Sequence, residues 1–198
     1  MIYRGYTVFE RTPLADPKNN ISNPYIFVGS DFKKQEKAAF ASTNSAFEWT
    51  YLARGKAEAN TIRAFFEANK GRYGAFWLPS HKNDYTLTVS AIAGATQIVV
   101  KNAKRNFGLY GLKRHIYIPY LGFAAKIMSV TLSDGTLNSD EIITLDTALP
   151  SSISILSQPI IESLFLVRFK SDEFTLSKRD KVYLQTTLGF VELQGETP

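Results

Sequence analysis

The clearest alternation of apolar and polar positions lies in residues 56–78. Within it, Ala59, Ile62 and Phe66 recur at the three- and four-residue spacing of one helix face, and Phe65 lies beside them. This spacing predicts an amphipathic α-helix. Because the stripe is strongly apolar, we expect this face of the helix to be buried in a core.

The predicted helix is followed at once by a strand. Lys70 and Gly71 come after the last apolar residue, which is typical of a basic last turn and of a left-handed residue just past a helix end. Aromatic and small residues then alternate from position 73 to position 78, and Pro79 closes the run. The pattern predicts a helix and a strand that share one core through a very short joint.

Further elements are predicted in the first 52 residues. A loose alternation over residues 2–11 indicates a first strand, and a loop with three prolines and three asparagines follows at 12–24. A short apolar run at 25–28 indicates a second strand, whereas residues 32–40 fit a helical turn and an exposed strand equally well. Residues 47–52 place three aromatic side chains on one face of a strand.

The middle of the chain has a different pattern, because short apolar runs alternate with turn residues. Five short strands are predicted between residues 84 and 158, at 85–92, 96–100, 114–119, 124–130 and 141–146. A small all-β unit removes its exposed edges by closing on itself. We therefore expect residues 84–158 to form a small inserted β-barrel.

The last part of the chain returns to the earlier pattern. Residues 161–169 read as a strong central strand, and a hairpin follows across the polar tip at 178–181. Because the last part of the chain resembles the first in its pattern, we expect a single discontinuous core built from residues 1–83 and 159–198. Such an insertion requires that the strand ending at Pro79 and the strand beginning near Ile160 are neighbours.

Composition supports a mainly β fold with one main helix. The 198 residues are 44% hydrophobic and 13% aromatic, which suffices for a real core rich in strand-forming side chains. The absence of cysteine excludes disulfides, thiolate metal sites and cysteine nucleophiles. A net charge of +5 and a pI near 9.3 fit a mild attraction to acidic partners such as nucleic acid, but on charge alone we favour the simpler interpretation that the charge aids solubility. Since no apolar run approaches about 18 residues, we expect no membrane insertion.

Motifs of catalysis, phosphate binding and metal binding are missing from the sequence, so we expect no enzyme, no cofactor and no metal. The best local candidate for hydrolysis is His81 with Asp84, a base and its orienting carboxylate in one loop. We favour the simpler interpretation that both are loop residues at a domain junction. A second acidic group, formed by Asp134, Asp140 and Glu141, lacks the spacing of a calcium loop and is interpreted as a turn.

The segment 101–115 combines cations with aromatic residues. The candidate contacts for an anion or a neighbouring subunit in this basic loop are Lys104, Arg105, Phe107, Tyr110 and Arg114. Such a mixture can stack on bases or sugars and neutralise phosphates, which supports a nucleic-acid- or glycan-binding module. The glycines in the loop favour the alternative, in which the aromatic side chains pack on their own domain or on a neighbouring subunit.

Two blocks of the sequence resemble phage tail proteins of the DUF2460 type and related distal tail and tail-tip proteins. The first block is TIRAFFEANKGRYGAFWLPSHKNDYTL together with the preceding aromatic strand, and the second is LFLVRFKSDEF with a last strand ending in GFVEL. The matching positions of the first block are Trp49, Phe65, Phe66, Gly71, Arg72, Phe76 and Asp84. Those of the second block are Arg168, Phe169 and Asp172.

The resemblance implies a structural virion protein at the tail tip. Such proteins are similar to tail-tube subunits: a β-sandwich or barrel with one flanking helix, assembled as a homo-oligomeric ring. The ring joins the tail tube to the hub and fibres, and DNA passes through its channel. Within this expectation, Arg72 at the joint has two open roles, a solvated charge or an anchor to the next subunit.

Overall fold

The computed structural model describes residues 1–14, 18–21, 45–103 and 114–193. It is mainly β with one main helix and antiparallel strand pairing, so the predicted fold class is confirmed. In chain order the helix and strands are β1 (Ile2–Tyr3), β2 (Tyr6–Thr7), β3 (Lys18–Ile21), β4 (Ser45–Arg54), α1 (Gly55–Ala68), β5 (Ala75–Pro79), β6 (Leu87–Val89), β7 (Gln97–Val100), β8 (His115–Ile118), β9 (Phe123–Leu132), β10 (Glu141–Leu145), β11 (Glu162–Phe169), β12 (Ser177–Lys178) and β13 (Tyr183–Glu192).

Helix α1 follows the predicted pattern. Its buried residues are Ala59, Ile62 and Phe66, the three positions that define the apolar stripe. At its start, Glu58 accepts a hydrogen bond from the Arg54 amide at 2.9 Å, which satisfies an amide just before the first turn. The strand after the helix is shorter than predicted, because residues Gly71–Tyr73 form a turn of 3₁₀ helix before β5 begins.

The predicted first strand is instead a small hairpin. Strands β1 and β2 pair antiparallel, with Ile2 opposite Thr7. Between them Arg4 and Gly5 adopt positive φ angles of 45° and 82°. Two successive left-handed residues reverse the chain, so a continuous strand over residues 2–11 was wrong.

The chain divides into two compact units, and the first comprises Met1–Glu10 and Phe76–Phe165. Its strands follow the order β11, β8, β9, β10, β7, β6, and all of these pairs are antiparallel. Buried apolar side chains between residues 85 and 161 form one cluster, in which Ile116 and Ile143 are fully buried. All five strands predicted in the middle of the chain are present.

The sheet is not closed into a barrel, which corrects the small barrel predicted for residues 84–158. Strand β6 ends the order, and irregular backbone covers its outer side. Ala91 and Ile153 exchange backbone hydrogen bonds at 2.9 and 2.7 Å, and the Tyr85 amide donates to the Ile161 carbonyl at 3.2 Å. The covering segment contains Pro150 and Pro159, which cannot donate to a strand ladder.

The second unit comprises Arg11–Ala75 and Leu166–Pro198. In it β13 pairs with β4 over nine positions, and β3 and β11 extend the sheet on either side. Trp49 and Tyr51 are buried on β4, as the predicted aromatic face requires, and both pack edge-on against Phe190 at 5.6 and 6.4 Å between ring centroids. Helix α1 belongs to this unit.

Strand β11 contributes residues to both units, and β5 pairs with it. The strands on either side of the proposed insertion are therefore neighbours, as expected. Just past β5, the Ser80 amide donates to the Ser163 carbonyl at 2.8 Å. The boundaries predicted at 83/84 and 158/159 both fall inside the first unit. An independent inserted domain at 84–158 stays a prediction.

Candidate functional site at the helix–strand joint

The joint after α1 is built from two consecutive left-handed residues. The helix ends at Ala68, and Asn69 binds the Phe65 carbonyl through both its amide at 3.2 Å and its side chain at 2.8 Å. Lys70 and Gly71 then adopt φ angles of 52° and 58°. The left-handed conformation predicted for Gly71 is confirmed, whereas that of Lys70 was not predicted.

This turn presents Arg72 to the carboxylate of Asp172. The Arg72 amide donates to Oδ1 at 3.0 Å, and its Nε lies 2.8 Å from Oδ2. A Cβ on Gly71 would lie 2.6 Å from the same Oδ1, so only glycine leaves room for the carboxylate. We call Gly71, Arg72 and Asp172 the clasp, since together they join two segments that are 100 positions apart.

Aromatic side chains pack between the same two segments. The ring of Phe66 lies 4.7 Å from that of Phe169 and 5.5 Å from that of Phe174, and Phe65 lies 6.3 Å from Phe169. Phe66 and Phe169 are buried. These rings therefore pack helix α1 against the end of β11 and the segment after it within the second unit.

A pocket of about 290 Å³ opens beside the clasp. Its lining consists of Arg72, Tyr73, Arg168, Phe169, Lys170 and Val191. Three of these six side chains carry a positive charge. Arg168 belongs to the C-terminal block that resembles tail proteins, but the pocket was not predicted. Its local signal in the sequence is the alternation of cations around a buried phenylalanine.

Arg72 has a partner within its own chain. Its side chain remains 60% exposed while it pairs with Asp172. The paired guanidinium is still largely in contact with solvent, so the interpretation as a solvated charge stays a prediction. A role for Arg72 as an anchor to a neighbouring subunit stays a prediction.

The basic loop is described only at its ends. Lys104, Arg105, Phe107 and Tyr110 lie outside the described residues. Arg114 is described, is exposed and directly precedes β8. The role of this loop as an anion or subunit contact stays a prediction.

His81 and Asp84 both take part in bonds that hold the loop after β5. Asp84 accepts a hydrogen bond from the Ser163 amide at 2.8 Å, and the His81 amide donates to Glu162 Oε2 at 3.2 Å. Burial lowers the pKa of His81 to about 4. Burial also raises the pKa of Glu162 to about 7, and the charge of Asp84 adds to this rise. These contacts fit the interpretation of His81 and Asp84 as structural loop residues.

The second acidic group does not act as one cluster. Asp134 accepts from the amide and hydroxyl of Thr136 at 2.7 and 2.8 Å, which confirms its interpretation as a turn residue. Glu141 is instead fully buried at the start of β10 and accepts from the Ala103 amide at 3.1 Å, so its assignment to a surface turn was wrong. No group of three or more His, Asp or Glu side chains among the described residues could hold a metal ion.

In the part of the chain that the structure describes, no helix is long and apolar enough to cross a membrane. The sequence matches no protein-family model, and a comparison with curated proteins finds no similar sequence. The resemblance to phage tail proteins therefore stays a prediction that rests on the two sequence blocks.

Proposed function

We propose that this protein is a structural, non-enzymatic component of the tail tip of a long-tailed phage. In this proposal identical subunits assemble into a ring that connects the tail tube to the hub and fibres. DNA passes through the channel of the ring. The subunit resides in the virion after assembly in the host cytoplasm.

The contact between the two sequence blocks is the observation that carries this proposal. Gly71 and Arg72 come from the first block and Asp172 from the second, and the three form the clasp. Phe66 and Phe169, also one from each block, pack at 4.7 Å. These five matching positions lie in the same compact unit and contact one another, which supports a shared structural role for them.

The use of potential catalytic groups also supports a structural role. Asp84 binds the backbone of Ser163, and a buried His81 with a pKa of about 4 stays uncharged at neutral pH. A neutral imidazole can act as a base, but the carboxylate that would orient it already holds another segment of the chain. Both residues are better explained by the fold than by catalysis.

Location on the virion tests this proposal most directly. Particles that carry an epitope-tagged copy of the protein should bind gold-labelled antibody at the tail tip in electron micrographs. Sedimentation of the purified protein over a range of concentrations should in addition reveal ring-sized oligomers. A monomer alone would not contradict the proposal, because ring subunits often assemble only on their template. A monomer combined with unlabelled tail tips would contradict it.

The alternative function is a nucleic-acid- or glycan-binding module that uses the basic loop. Arg114 is exposed, as that function requires, but the other four candidate contacts lie outside the described residues. Loss of single-stranded DNA binding on replacing Lys104 and Arg105 with alanine would support it.

A further inference from the structure

The pocket beside the clasp lies in the second unit and is rich in positive charge. We call it the cationic pocket, and its three cations are Arg72, Arg168 and Lys170. Arg168 and Lys170 flank the buried Phe169, so strand alternation turns both away from the core. The pocket therefore has a fixed apolar floor and a charged rim.

The backbone around the pocket holds these cations in place. The Lys170 amide donates to the Gly189 carbonyl at 2.8 Å. A Cβ at Gly189 would lie 3.1 Å from Lys170 Cβ, so the lysine stem lies directly over this glycine. Arg168 is paired in register with Val191, another lining residue. The charged groups thus extend from strand positions that the sheet fixes.

The charge of the pocket is only partly compensated. The carboxylate of Asp172 pairs with Arg72 and compensates one of the three positive charges. Within the described ranges, neither Arg168 nor Lys170 has a carboxylate within ion-pair distance. Two cations therefore face the same pocket without an acidic partner in that part of the chain. A bound anion would relieve their mutual repulsion.

An exposed aromatic ring completes the lining. Tyr73 directly follows Arg72 in the joint and is 77% exposed. An exposed aromatic ring next to two uncompensated cations can bind a ligand that has both a phosphate and a planar base.

We propose that the cationic pocket binds single-stranded nucleic acid, with Arg168 and Lys170 on backbone phosphates and a base stacked on Tyr73. The volume of about 290 Å³ is at the lower end for ligand sites, which suits one nucleotide unit of a strand. A duplex keeps its bases stacked on one another and offers no free base to Tyr73. This inference goes beyond the proposed function and does not depend on it.

The test measures binding of a fluorescently labelled ten-nucleotide oligothymidylate to the full chain by anisotropy, at several salt concentrations. Each phosphate contact contributes about 0.7 to the slope of log affinity against log salt concentration for single strands. The double variant R168Q/K170Q should lose affinity and reduce this slope by about 1.4. Circular dichroism of the variant should be unchanged, because both side chains are exposed.

The matched control is R179Q/K181Q, which also removes two positive charges but at a different place. Arg179 and Lys181 are exposed and lie at the hairpin tip before β13, at the opposite end of that strand from Val191. Eight strand positions separate Tyr183 from Val191, or about 26 Å. The control should bind almost as well as the unchanged protein. An equal loss in both variants would mean that net charge alone attracts the oligonucleotide and would overturn the proposal.

Two tyrosine variants separate stacking from charge. Tyr73→Ala should weaken binding at least about fivefold, whereas Tyr73→Phe, which keeps the ring, should bind like the unchanged protein. Equal binding by the alanine variant would overturn the stacking contact and with it the choice of a single-stranded ligand.

Two further outcomes would also contradict the proposal. If K104A/R105A abolished binding while R168Q/K170Q did not, the basic loop rather than the cationic pocket would hold the nucleic acid. If polyglutamate competed as well as unlabelled oligothymidylate, the pocket would instead recognise acidic protein segments. The proposal stands if the pocket variant alone loses affinity and polyglutamate competes weakly.

Discussion

Gly71 lies in a left-handed conformation directly against the carboxylate of Asp172. The change Gly71→Ala adds a Cβ at 2.6 Å from Oδ1, so the carboxylate must move away and the clasp must open. The left-handed backbone costs a further 1–2 kcal/mol or so for a residue with a Cβ. We expect the free energy of unfolding to fall by about 2–3 kcal/mol, measured by urea denaturation.

Gly55 provides the matched control for this change. It has a positive φ of 76° in the same unit, but a Cβ added there meets no atom within 4 Å. Gly55→Ala should therefore lose only the backbone contribution, about 1–2 kcal/mol. If both variants lost the same stability, contact with Asp172 would not be what requires glycine at position 71.

Glu162 makes stability depend on pH. Burial raises the pKa of Glu162 to about 7, so the folded protein keeps this proton between about pH 4.5 and pH 7 while the unfolded chain releases it. The contribution of Glu162 to stability is thus complete at low pH and is lost as the pH rises through 7. The variant Glu162→Gln should gain stability relative to the unchanged protein between pH 5 and pH 8, by at most about 3 kcal/mol.

The difference in unfolding free energy between the unchanged protein and Glu162→Gln, measured at each pH, isolates the contribution of Glu162. Burial lowers the pKa values of His81 and His115 to about 4, so their contributions change in the opposite sense and are lost as the pH falls below about 6.5. Both histidines are present in both proteins, and their contributions cancel in the difference. A difference in unfolding free energy that is constant from pH 5 to pH 8 would contradict the prediction.

At single residues, the sequence predicts best where the cause is local. The left-handed Gly71 follows from its place after a helix, and no distant contact is needed to expect it. The left-handed Lys70 has no such signal, because lysine rarely adopts this conformation. The burial of Glu141 was also missed, since a charged residue beside Asp140 looks like part of a turn until the amide of Ala103 is known to bind it.

Phe66 is one of three buried residues by which helix α1 packs on its unit. This ring is 7% exposed and packs on both Phe169 and Phe174. Phe66→Ala should lower the unfolding free energy by about 3–5 kcal/mol, since it removes a buried aromatic side chain and leaves a cavity. Thermal unfolding followed by the helical circular dichroism signal at 222 nm measures the effect.

Phe65 is the control because it is the same residue type on the same helix but is only partly buried, with its ring 6.3 Å from Phe169. Phe65→Ala should lose less than half as much stability. Equal losses would show that the apolar stripe of α1 is wider than the buried positions indicate.

The sequence predicts helices and strands correctly where the spacing of apolar residues determines them. Helix α1 and the five middle strands lie where apolar spacing places them, because the spacing of side chains follows directly from local geometry. Closure of the middle strands into a barrel was wrong for a physical reason. The edge strand β6 meets irregular backbone, and the bonds between Ala91 and Ile153 are formed by a segment whose prolines give no strand pattern.

Assembly of the whole chain depends on contacts that no local pattern reveals. The first ten residues belong to the same compact unit as residues 76–165. Tyr3 reaches His115, 112 positions later, and accepts a hydrogen bond on its carbonyl from the Trp77 indole at 2.9 Å. A two-residue strand near the N-terminus carries no signal for such partners.

The bond between Tyr3 and His115 provides a test of how strongly the N-terminal segment stabilises the first unit. The Tyr3 hydroxyl and His115 Nδ1 lie 2.9 Å apart and both side chains are buried. Tyr3→Phe leaves the imidazole nitrogen without this partner, which should cost about 1–3 kcal/mol of unfolding free energy. Tyr6→Phe removes a hydroxyl from the partner strand of the same hairpin, where the side chain is only partly buried, and should change stability by less than about 0.5 kcal/mol. Equal effects in urea denaturation would mean that the hairpin, rather than its hydrogen bond to His115, secures the N-terminus.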